Sequence, residues 1–186
     1  MRRAARLVLS LPYLALAAAQ QPDVVNPDSA VLKEFNRRVS DYVKVHKDAQ
    51  SAVHRLKPTG SQQAIKEHEH QFAERIRAAR QGAAQGNIFA PEIAQEFRRL
   101  VSVTMRGPQA ARIRRSFESA APVHLRTLRV DSAYPSTVPL QSTPPSLLLN
   151  LPPLPPQVEY RVAGHSLVLR DTEANLVVDF IPNAIP

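Results

Sequence analysis

Between Leu32 and Leu56 an apolar or aromatic residue returns at alternating steps of three and four: Leu32, Phe35, Val39, Tyr42, His46, Ala49, Val53, Leu56. That seam holds for more than three heptads and predicts one helix of roughly 40 Å. Its other faces carry Lys33, Glu34, Arg37, Arg38, Lys44, Lys47 and Asp48. A helix with a single apolar stripe is not stable alone, so the chain must supply a cover. Asn26 or Asp28 suits the start of this helix, with Pro27 in its first turn.

The next segment predicts that cover. Pro58 and Gly60 stop the first helix, and Thr59 with Gln62 fits a capping box for a second. Ile65, Phe72, Ile76, Ala79 and Ala83, with His68 or Glu69, form its apolar face, and the short linker predicts an antiparallel hairpin. "APEIAQEFRRLVSVTM" predicts a third helix, with Pro91 near its start and Ile93, Phe97, Leu100, Val101 and Met105 on one face. Gly107-Pro108 closes it, and a short fourth helix fits about 109–118.

Proline then changes the character of the chain, since most of its 17 prolines follow residue 107. "VHLRTLRV" at 123–130 alternates as a strand with a slip near Thr127. "TPPSLLLNL" predicts one helical turn capped by Thr143. "PPLPP" at 152–156 reads as a stiff extended connector that delivers the chain into a strand, in preference to an exposed polyproline ligand. Val158, Tyr160 and Val162 face one way, and Leu167 and Leu169 continue that face after a turn at Gly164-His165. "TEAN" turns again, with Asn175 suited to a left-handed conformation, and Leu176, Val178 and Phe180 complete a meander. The fold expected is α+β: an N-terminal helical hairpin plus a third helix, and a small C-terminal antiparallel β-meander.

The first 19 residues have the form of a secretory signal: Arg2, Arg3 and Arg6, an apolar run from Leu7 to Ala17, and small residues at Ala17 and Ala19. Cleavage is expected between Ala19 and Gln20, leaving a helical region at 20–118 and a proline-rich connector with a sheet at 119–186. No later stretch has the length and apolarity of a membrane span. The expected location is the periplasm or the exterior. The chain has no cysteine, which removes disulfides and thiolate chemistry and leaves stability to the apolar core. The tail "STPPSLLLNLPPLPPQVEYRVAGHSLVLRDTEANLVVDFIPNAIP" and the segment "AERIRAAR…GNIFAPEIAQEFRRL" resemble stretches shared by a group of uncharacterised exported bacterial proteins. The resemblance implies a common fold and a secretory route, and no activity.

Chemistry-bearing motifs are sparse. In "KEHEH" (66–70), His68 and His70 lie about 200° apart on a helix and cannot share an ion unaided. His46 on the seam could approach either, so a metal-dependent or hydrolytic enzyme using His46, His68 and His70 is one alternative. A helical structural protein that self-associates through the seam is another, which makes a homo-oligomer an expected partner. "GHS" (164–166) lacks a nucleophile elbow. Asp171, Glu173 and Asp179 are expected in turns and on solvated strand faces. There is no glycine-rich phosphate loop and no dinucleotide fingerprint, so neither a cofactor nor a resident metal is expected.

Charge supplies the leading functional expectation. Residues 98–129 contain Arg98, Arg99, Arg106, Arg112, Arg114, Arg115, Arg126 and Arg129, opposed only by Glu118, which makes +7. The formal charge of +8 falls to +5 without the three signal arginines, so the rest of the mature chain sums to about −2. Arginine binds phosphate and carboxylate in a bidentate fork. The expectation is a non-enzymatic binding or structural protein whose arginine-rich face meets an anionic envelope component or an acidic protein surface. Aromatic residues make up 5% of the chain, too few for base stacking, and nucleic acid is not expected.

Overall fold

The structure, a computed structural model, describes residues 27–118, 128–134, 143–148 and 150–185. Within them the chain is α+β. The helices are α1 (Pro27–Ser51), α2 (Gln62–Ala79), α3 (Pro91–Arg106), α4 (Ala110–Glu118) and the single turn α5 (Pro145–Leu148). The strands β1 (Val158–Ala163), β2 (Ser166–Asp171) and β3 (Val177–Ile181) form an antiparallel sheet in the order β1-β2-β3. No helix among the described residues is long and apolar enough to cross a membrane.

The seam is covered inside the chain. Phe35, Val39, Tyr42, His46 and Ala49 are all buried. The His46 ring lies 4.9 Å from that of Phe72, and the Arg80 guanidinium sits 5.0 Å over the ring of Tyr42. Moving back along α1 therefore means moving forward along α2, so the pair is an antiparallel hairpin. Phe35, Phe89 and Phe97 meet with ring centroids 4.8–5.8 Å apart, and Phe97 reaches Tyr160 of β1 at 6.0 Å. This aromatic cluster joins α1, the 80–90 loop, α3 and the sheet into one core, to which Ile113 of α4 and Leu147 of α5 also belong.

Several boundaries differ from the sequence reading. α1 ends at Ser51, where Ala52 N–H and Val53 N–H turn back to Ala49 O and Gln50 O, so the seam stops before Leu56. Leu56 and Ile65 are exposed at 37% and 38% and take no part in the hairpin core. The α2 cap is Ser61, whose Oγ accepts from Ala64 N–H at 3.3 Å; Thr59 Oγ1 instead accepts from Ser61 N–H. The Thr143 hydroxyl donates to Tyr160 O at 3.0 Å, and among the described residues no α5 amide is seen to donate to it. The expected strand at 123–130 falls mostly outside the described residues, and Leu128–Val130 is not a strand. Asn26 also lies outside them, as does the expected signal segment 1–19.

The turns follow their residues. Gly164 (φ 57°) opens the two-residue β1–β2 turn, and Asn175 (φ 52°) closes the β2–β3 turn in the left-handed region. The proline connector packs on the chain itself: Pro152 is buried and its carbonyl accepts from Tyr160 Oη at 3.0 Å.

One irregularity in β3 decides how the layers join. Arg170 pairs with Val177 and Leu169 with Asp179, so Val178 has no partner in the ladder. This bulge reverses the alternation. Asp179 turns toward the helices, and Phe180, expected on the core face, turns to the other side with Val168 and Val177. That outer face is covered by residues 128–134: Asp131 N–H and Val177 N–H exchange bonds with Val177 O and Ser132 O, and Tyr134 is buried there.

Candidate anion-binding groove

The three carboxylates expected in solvent divide into two kinds. Glu173 is half-buried, whereas Asp171 and Asp179 are wholly buried, and they clasp the helices to the sheet. Asp171 Oδ2 accepts from Tyr42 Oη and from His46 Nδ1, each at 2.6 Å. Its Oδ1 accepts from Glu173 N–H and Ala174 N–H at 3.0 and 2.7 Å. Burial alone would raise the Asp171 pKa, but the bonds from His46, Tyr42 and the Ala174 amide outweigh it and hold the carboxyl below its ordinary range. An ionised carboxylate donates nothing, so His46 carries its proton on Nδ1. Its Nε2 lies 3.7 Å from Glu173 Oε2. The Tyr42 phenol is pushed well above its ordinary range, by burial first and by Asp171 second.

Asp179 receives four backbone amides. Gly86 and Phe180 N–H reach Oδ1 at 3.0 and 2.8 Å, and Ile88 and Phe89 N–H reach Oδ2 at 2.8 Å each. Gly86 holds φ 91°, the left-handed geometry that lets the loop curl around the carboxylate. Arg80 completes the clasp. It pairs with Asp131 and donates to Val178 O, the residue that the bulge leaves without a partner. Arg77 Nε donates to Asp131 O. Arginine therefore does dock the layers, chiefly through Arg77 and Arg80 at the end of α2. A buried carboxylate clasp and an arginine this far outside the charge cluster have no signature in the sequence.

The three histidines are not gathered. His46 is enclosed against Asp171 and Phe72; His68 lies beyond Phe72, at 6.4 Å between ring centroids; His70 is exposed near Glu74. Among the described residues no group of three or more His, Asp or Glu side chains is placed to hold a metal ion.

The arginine segment is distributed unevenly. Ala110 and Ile113 of α4 are buried and Phe117 is half-buried, which leaves Arg112, Arg114 and Arg115 exposed. On α3, Arg98, Ser102 and Arg106 follow one another at i, i+4 and i+8 along one face. Arg106 is held by Ser102, through Nε to the carbonyl at 3.3 Å and Nη2 to Oγ at 2.6 Å. Arg98 Nη2 donates to Pro182 O at 3.2 Å. That carbonyl belongs to the turn after β3, which is pinned by Ile185 N–H on His165 O and contains Asn183 at φ 51°.

Together these pieces enclose a cavity of about 360 Å³. Arg98, Arg106 and Arg114 line it, with Ser102 and Asn183 as neutral polar groups and Val101, Met105 and Ala184 as its apolar floor. Among the described residues no carboxylate lines it. The other arginines lie elsewhere. Arg99 forms a two-pronged pair with Glu96 at 2.7 and 2.5 Å. Arg112 and Arg115 are turned about 200° and 100° from Arg114 around α4. Arg129 is exposed beside Leu128, which packs on the far face of the sheet, and Arg126 lies outside the described residues. No family model matches this chain, and neither does any curated protein or any solved structure.

Proposed function

We propose that the chain is an exported, non-enzymatic binding protein that meets an anionic component of the cell envelope through the α3–α4 side of its helical layer. The observation that carries this reading is that Arg98, Arg106 and Arg114 line one cavity with no carboxylate among the described residues. Ion pairs elsewhere on the surface consume their arginines: Arg37 and Arg38 share Glu34, and Arg161 and Arg170 share Glu159. Around the groove Arg98 and Arg106 rest on neutral acceptors and keep donors to spare for a partner, and Arg114 is exposed beside them. The basic start, apolar run and small residues of 1–19 support the exported location.

Co-sedimentation tests the reading. The purified protein should bind phosphatidylglycerol vesicles or polyglutamate at low salt and leave phosphatidylcholine vesicles unbound. Binding should weaken steeply toward physiological salt, where screening acts within about 8 Å. Absence of binding to both anionic probes at low salt would overturn it.

A further inference from the structure

We propose that the groove of Arg98, Arg106 and Arg114 is a phosphate subsite. It takes one phosphate group, free in solution or at the head of a lipid. This inference rests on the anion-binding reading above and names the group that the site accepts.

Sign and geometry both point this way. Three further cavities also contain arginine, but each includes a carboxylate that competes for it. Asp41 shares the cavity of Arg37 and Arg80; Glu69 and Glu173 share that of Arg55; Glu159 shares that of Arg161. The α3–α4 groove has three guanidiniums and, among the described residues, no acid. A carboxylate offers two oxygens and one charge, which a single arginine fork satisfies. Three forks around one cavity match a group with three oxygens and up to two charges, which is a phosphate.

Two of the three donors are also held in advance. Arg106 uses two of its N–H groups on Ser102, and Arg98 uses one on Pro182 O, so most of their five donors each remain available. Arg114 has no partner among the described residues. Side chains already fixed lose less freedom on binding. Asn183, held in the left-handed region between Pro182 and buried Ala184, places a short amide at the rim.

The test compares two charge-matched variants of the full protein by calorimetric titration. One carries Arg98→Gln, Arg106→Gln and Arg114→Gln. The other carries Lys33→Gln, Lys66→Gln and Arg75→Gln, three exposed cations of α1 and α2. The probes are inorganic phosphate, glycerol 3-phosphate, acetate and phosphatidic acid vesicles, whose head group is a phosphate monoester. The wild type should bind phosphate at one site and acetate at least about tenfold more weakly. The groove variant should lose about tenfold or more, as expected for removing charge-assisted hydrogen bonds, and the control less than about threefold. Saturation by the soluble phosphates identifies a free ligand. Groove-dependent binding to vesicles alone identifies a lipid head group. Either supports the subsite. Equal losses in the two variants, or acetate bound as tightly as phosphate, would overturn the subsite and leave general anion binding standing. No binding of any anion by the wild type would remove both. Should the triple variant melt early, Arg114→Gln alone replaces it, with a loss of about threefold or more expected and an unchanged affinity refuting the site.

Discussion

Removing the Asp171 carboxylate should be among the most damaging single changes in this protein. In Asp171→Ala four donors lose their acceptor. The Glu173 amide lies in a turn beside exposed Thr172 and recovers water there, whereas Ala174 is 2% exposed and its amide does not. Tyr42 Oη and the His46 ring belong to residues 4% and 2% exposed and recover none. Each buried, unsatisfied donor costs about 1–3 kcal/mol, so Tyr42 and His46 alone imply a loss of about 4 kcal/mol, within the range for breaking a buried pair, and the Ala174 amide adds to it. For a domain stable by about 5–15 kcal/mol, that is a large share of the total. Urea unfolding followed by circular dichroism measures it, with Tyr42→Phe and the double variant completing a cycle. The pH dependence supplies a second check. The folded pKa of Asp171 is lowered, so its contribution is complete above the ordinary aspartate value of about 3.9 and is lost as pH falls through the lower folded value. The gap between wild type and Asp171→Ala should therefore be constant near neutrality and narrow below about pH 4. A loss under about 1 kcal/mol at neutral pH, or a gap that widens in acid, would refute the clasp.

Two further outcomes follow from the same layer. Asp179→Asn should strip hydrogen-exchange protection from the Ile88 and Phe89 amides and cost about 2 kcal/mol, and unchanged protection at those two amides would show that the loop holds itself. Tyr134→Phe should leave stability unchanged or raise it by up to about 1 kcal/mol, because the buried Tyr134 hydroxyl has no hydrogen-bond partner among the described residues; a clear loss in a thermal melt would contradict this.

The helices and the meander were legible because burial leaves a local, periodic trace. Phe35, Val39 and Tyr42 on α1, and Ile93, Phe97 and Val101 on α3, read as stripes without reference to their partners. Asn175 and Gly164 announced their turns for an equally local reason, the backbone angle each must adopt. The clasps left no such trace. An aspartate at the end of a strand reads the same whether it faces water or four donors, and the donors to Asp179 from the loop lie 90 to 93 residues away. The Val178 bulge inserts one residue without changing composition, so strict alternation placed Phe180 on the wrong face. The groove was half legible. Arg98, Ser102 and Arg106 share a row by helical spacing, but the walls at Arg114 and Asn183 depend on how α4 and the turn after β3 fold back. Arg99 could not be separated from Arg98 by charge alone, because its pairing with Glu96 depends on rotamers.

The long reach of the Asp171 clasp has a consequence for the order in which the molecule forms. Tyr42 and Asp171 are separated by 129 positions, and the core cluster spans α1 to β3. Local helical turns form in microseconds, but a contact across most of the chain waits on a slow search through loop closure. During synthesis α1 and α2 emerge first and can pair, but the seam lacks its sheet until residue 171 has left the ribosome. The Asp171 clasp therefore closes only near the end of synthesis. Until then the chain keeps part of an apolar stripe uncovered, the kind of surface that a holding chaperone can grip.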